Sequence, residues 1–276
     1  MKSFMECLVD RKFDLNEEVL TIKELLEEEN YRTTSLFNMI EAKFKKWHNR
    51  SNYTSLTQLF NKTGISKILN DAEDGIVNID SFIYFAECIY NVLNIVDRIN
   101  LYSINEDNYI AIAENIKNII SQLNYEIYYS ESDDYLKIIK SDWKVTEAAE
   151  IIQDKYDLGE KIYLYNHYSL RGKLNDKADI LCRLYKVFEG GKEGVLKANN
   201  YISLASDIGF LSDKLDVRHA PNIQQKILLD GFTSEEQEQW YDDLFNLYLD
   251  MLILCDHIEK RKDIKELSKK LSQIKT

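Results

Sequence analysis

One proline and nine glycines in 276 residues constrain this chain more than any other feature. Sandwiches and barrels with many turns use those residues for fixed or positive φ at each reversal, and this chain cannot supply them. Long helices joined by short loops are the architecture that remains. With 45% hydrophobic and 12% aromatic residues there is apolar surface enough for a core, spread over one large or two small domains.

Apolar residues recur at three- to four-residue spacing through most of the chain, which predicts helices. They cover 4–29, a segment capped by Thr33-Thr34-Ser35 and running through 46, then 55–69, 79–101 and 108–123. The pattern changes at Tyr125-Glu126-Ile127-Tyr128-Tyr129. This β-branched and aromatic run is followed by a polar turn and a second run at 135–140, which reads as a β-hairpin. Helical period resumes over 145–156, 162–170, 174–188, 195–215 and 235–257, and a charged helix over 260–274 ends the chain. Gly190, Gly191 and Gly194 mark a loop, because they follow a helix and lack the GKS/T of a phosphate cradle. The predicted fold is mostly α and multi-helix, with one hairpin near 124–140. Its organisation is a helical N-terminal region, 1–105, and a hairpin-plus-helical domain, 106–276.

Composition also limits the partners. No stretch approaches the ~20 consecutive apolar residues of a membrane span, and the N-terminus lacks the apolar core of a secretory signal. Cys7, Cys88, Cys182 and Cys255 never form CxxC and sit among apolar neighbours, as buried thiols of a cytoplasmic protein would. Thirty-five basic against 47 acidic residues disfavour nonspecific binding to nucleic acid or anionic membrane. The block 161–221 departs from that balance, with ten basic and seven acidic residues.

Few motifs carry chemistry. Asn70 to Val77 imitates an EF-hand loop around Gly75, but Ala72 and Ser81 occupy positions that need oxygen ligands. Lys43, Lys45, Lys46, Trp47, His48 and Arg50 form a basic patch at a predicted helix C-terminus, where the helix dipole alone favours cations, and His257 is similarly placed. Nothing points to a cofactor or a metal. His167 and Arg171, four apart, would share a face on a helix, joining a group that titrates near neutrality to a fixed cation for phosphate. Arg218-His219 falls where Pro221 disfavours further helix, and such a pair can hold a phosphate and exchange a proton. Ordinary capping by cations is the alternative for both pairs.

The segment from Ile162 to Lys177, with Ile180-Leu181 and Phe188-Glu189, resembles bacterial abortive-infection proteins of the HEPN type. The shared pattern is a hairpin, here 125–140, then Y-x(5–7)-G-x-L-x-x-K, an R-H helix end and an acidic helix holding Glu238-Gln239-Trp240-Tyr241-Asp242. It covers about 124–255. The resemblance implies a HEPN-like C-terminal helical half, an antiviral role in the cytoplasm, and a homodimer whose two copies enclose a metal-independent ribonuclease site. Its hallmark, Arg-x(4–6)-His, is absent here, since Arg218-His219 is adjacent and His167 precedes Arg171.

Two functions are expected from these residues. One is a defence or toxin-like effector that binds or cleaves RNA, with Arg218 and His219 as phosphate cation and general acid or base, and His167 with Arg171 as a second pair. The other is a non-catalytic helical scaffold that dimerises and binds a partner protein of a defence system.

Overall fold

The computed structural model describes residues 14–29, 34–47, 51–97, 106–130, 135–156, 158–218, 229 and 231–274. The chain divides into two compact units, Met1–Ile138 and Ile139–Thr276. The division falls inside the second strand of the hairpin. Among the described residues no helix is long and apolar enough to cross a membrane.

In the first unit, α1 (Leu15–Glu27) starts at Asp14, whose carboxylate accepts the Asn16 N–H at 2.9 Å, and it buries Val19, Ile22 and Leu26. α2 (Leu36–Phe44) starts at Ser35, whose hydroxyl accepts the Asn38 N–H. The single helix expected over 55–69 is two, α3 (Leu56–Thr63) and α4 (Ile65–Glu73). Gly64 divides them at φ +85°, a conformation that an L side chain would resist. α5 (Ile79–Asp97) buries Phe82, Phe85 and Ile89, and α6 (Glu106–Gln122) leads into β1 (Tyr125–Ser130), which pairs with β2 (Tyr135–Lys140).

Two side chains one turn apart on α5 hold β2. The Asn91 amide donates to the Leu136 carbonyl at 2.7 Å and accepts the Leu136 N–H at 2.8 Å, while Glu87 accepts the Ile138 N–H at 2.7 Å. These groups satisfy backbone atoms that a two-stranded ribbon leaves open. The same bonds hold the part of β2 that lies in the first unit to α5.

The second unit contains α7 (Trp143–Tyr156), α8 (Gly159–Tyr165), a 3₁₀ turn at Tyr168–Leu170, and α9 (Leu174–Val187). A π turn (Phe188–Lys192) then leads to α10 (Glu193–Ala198), α11 (Ile202–Lys214) and α12 (Ser234–Ile274). Four expectations change. The helix expected over 162–170 ends at Tyr165. Gly190 and Gly191 fall at a kink between α9 and α10, with Gly191 at φ +135°, and Gly194 is inside α10. The 195–215 helix breaks at Asn199-Asn200, where Asn200 takes φ +67°. The segments 235–257 and 260–274 are one helix of 41 residues, about 60 Å long.

Over 241–258 apolar residues point in nearly every direction around α12, and its own unit covers them. Tyr241, Leu244, Phe245, Tyr248, Leu249 and Leu252 are all in one core with residues of α7 to α11. That burial needs no second copy. Cys182 and Cys255 are buried with free thiols; Cys88 is also free, and burial pushes its thiol up to about 12. Cys7 lies outside the described residues.

Candidate functional site

The segment 166–173 is bent, not helical. Past the end of α8, His167 begins the 3₁₀ turn with extended backbone. Its Nδ1 accepts the Ser169 N–H at 3.3 Å and meets the Ser169 hydroxyl at 2.7 Å. A nitrogen that accepts a backbone N–H has its lone pair there, which assigns the proton of the neutral ring to Nε2. The ring is buried, 4% exposed. Arg171 follows the turn with extended backbone and an exposed side chain, so the two do not share a helical face. Gly172 takes φ +69°, and its N–H points at both oxygens of Glu238, at 3.1 and 3.0 Å.

Beneath this bend lies a cluster centred on Lys177, which pairing histidine with arginine along the sequence does not reveal. Lys177 is on the buried face of α9 between Leu174 and Leu181, with its side chain 5% exposed. Its Nζ meets Glu238 at 2.8 Å and Asp242 at 2.7 Å, two carboxylates one turn apart on α12. It also stands 5.0 Å from the centre of the Tyr165 ring, which stacks on Phe245 at 3.8 Å and 6°. The Tyr165 hydroxyl is buried without a hydrogen bond of ordinary geometry, although Asp242 lies beside it. Burial first, then the Asp242 charge, pushes its pKa well above the usual value. Tyr165, Gly172, Leu174 and Lys177 carry the Y-x(5–7)-G-x-L-x-x-K spacing, and Glu238 and Asp242 belong to the acidic helix paired with it. The sequence holds only weak signs of it, a lysine between Leu174 and Leu181 and two acids four residues apart.

Burial raises the Glu238 pKa, but the Lys177 and Gly172 hydrogen bonds and the Lys177 charge outweigh it, and the net shift is downward. A carboxylate lowered on folding stabilises above its unfolded value, about 4.3, and loses that contribution as pH falls through its folded value. The stability gap between wild type and Glu238→Gln is therefore expected to narrow as pH falls from about 6 to about 3, as measured by urea midpoints. A constant gap over that range would contradict the ion pairing.

Arg218, in the turn after α11, donates to Asp213 at 3.1 Å and stands 5.5 Å from the Tyr185 ring centre. The Asp213 hydrogen bond first, then Tyr185, raises its pKa. Nearby in α11, the buried Ser212 hydroxyl donates to the Ile208 carbonyl at 2.6 Å, so the 2.8 Å contact with Tyr248 is donated by the tyrosine. His219 lies outside the described residues, as do His48 and Arg50 of the basic patch. Thus His167 and Arg171 flank one turn, and Arg218 engages residues of α9 and α11 instead. His257 faces Glu147 of α7 at 3.6 Å.

The first unit has a cavity of about 300 Å³ walled by Phe37, Phe60, Phe85 and Ile89. Lys23, at its edge, is paired with Glu73 at 2.9 Å. No family model matches the chain, and no curated protein or solved structure matches it either.

Proposed function

We propose that this chain is a non-catalytic helical scaffold that acts by binding a partner protein, in keeping with the defence-system role its resemblance implies. The observation that carries this reading is that three ionisable groups of the C-terminal unit are committed to neighbours within the fold. Lys177 is closed between two carboxylates, the His167 Nδ1 is taken by Ser169, and Arg218 is held by Asp213. General acid–base catalysis needs a group free to exchange a proton with a substrate. Purified protein incubated with total RNA and with tRNA, with and without chelator, is expected to leave both intact. RNA shortening that disappears in the Arg218→Ala protein would overturn the proposal.

RNA binding without cleavage is the second reading. It is favoured by Arg218, whose guanidinium lies beside the Tyr185 ring with its side chain 41% exposed. An exposed guanidinium plane can stack on an unpaired base, while the Tyr185 ring beneath it is buried in the core.

A further inference from the structure

Among the described residues, α12 leaves its core behind at Ile258, and each residue from 259 to 273 is exposed. Ile264, Leu267 and Leu271 are 64%, 56% and 53% exposed, and their spacing of three and then four residues is that of alternating a and d positions in a heptad. Ile274 continues the spacing in the sequence. The stripe is narrow, because the residues between are charged, Ser or Gln. A helix that lies in a membrane interface presents a wider apolar face with aromatic anchors, whereas 259–276 hold no Trp, Tyr or Phe. A seam confined to a and d fits a second helix by knobs-into-holes packing.

Charge selects among helices. In that register Arg261 and Lys270 flank the seam against Asp263, within a segment, 259–274, of six cations and three acids in a chain whose net charge is −12. Glu259 is already paired with Lys192 at 2.9 Å. Two copies of this segment would bring cations together, and an acidic helix would not. We infer that residues 259–274 form one half of a two-helix coiled coil, the other half being an acidic amphipathic helix of a partner protein with Leu or Ile at its own a and d positions. This rests on the partner-binding reading and names the partner's chemistry.

The test uses the full chain and labelled peptides of about four heptads with Ile at a and Leu at d. One peptide carries Glu at every e and g position, the other Lys. Fluorescence anisotropy is expected to show binding of the Glu peptide at least about tenfold tighter than the Lys peptide, weakening as salt rises. The exposed pair Leu267→Ser and Leu271→Ser is expected to lower that affinity by about tenfold or more while leaving the thermal melt unchanged. Equal binding of both peptides, or no binding of either, would overturn the seam. So would binding to tRNA or to phosphatidylserine vesicles that exceeds peptide binding and is lost in the same variant, or light scattering showing a dimer that this variant dissolves. If RNA stays intact in each of these cases, the failure belongs to the coiled-coil inference; RNA cleavage by wild type is the result that removes the reading beneath it.

Discussion

Shortening Tyr165 to alanine is expected to lower the unfolding free energy by about 3–5 kcal/mol, whereas Tyr165→Phe is expected to change it by less than about 0.5 kcal/mol or to raise it. The ring is fully buried and stacked on Phe245, so removing it opens a cavity between α8 and α12 that rigid helices cannot close. The hydroxyl is different. It is buried with no hydrogen bond of ordinary geometry, so its desolvation is uncompensated and its removal costs little. Tyr248→Phe is the internal contrast, because that hydroxyl donates to Ser212, and its loss should cost about 1 kcal/mol. Urea midpoints at unchanged m report all three. A loss in Tyr165→Phe as large as that in Tyr248→Phe would mean that the Tyr165 hydroxyl is bonded.

Lys177→Met is expected to cost about 3 kcal/mol, at the lower end of the range for breaking a buried pair. Methionine fills the alkyl volume of lysine but leaves Glu238 and Asp242 facing each other without a cation. The loss is not larger because the Asp242 side chain is 37% exposed and is partly rehydrated, while Glu238 at 20% keeps the Gly172 N–H. The cation also lies against the Tyr165 ring, so part of the effect is a lost cation–π contact. An unchanged urea midpoint would show that the pair adds nothing beyond what solvent supplies.

The helical class was legible because 3.6-residue periodicity and the shortage of Gly and Pro both exclude a turn-rich fold, and the hairpin because its runs are β-branched and aromatic. Breaks inside helical stretches were harder to read. Gly64 and Asn200 interrupt patterns whose apolar spacing continues across them, and only their left-handed backbone divides the helix. The reverse occurs at 258–260, where the change from apolar to charged composition suggested two helices and the backbone runs on without a break. Burial changed sides there, but helix propensity did not. In the site, residue types drew attention to histidine and arginine, since those groups carry general chemistry. The cluster that joins α8, α9 and α12 is centred on Lys177, which reads as an ordinary surface lysine until α12, some sixty residues on, is folded against it. The spacing of Tyr165, Gly172 and Lys177 was present in the quoted pattern, yet its meaning depends on two carboxylates that only tertiary structure brings near.

The Lys177 cluster clamps the 166–173 bend and α9 to α12, and the proposed scaffold asks no chemistry of it. The most direct measurement compares Lys177→Met with the triple variant Lys177→Met, Glu238→Leu, Asp242→Leu in urea unfolding. Charges that serve only packing can be exchanged together for apolar side chains of similar volume. The triple variant is therefore expected to recover most of the roughly 3 kcal/mol lost by the single one, with the same m-value and the same peptide affinity at the α12 seam. A triple variant that stays as unstable as Lys177→Met, or regains stability but loses partner-peptide binding, would contradict a purely structural clamp.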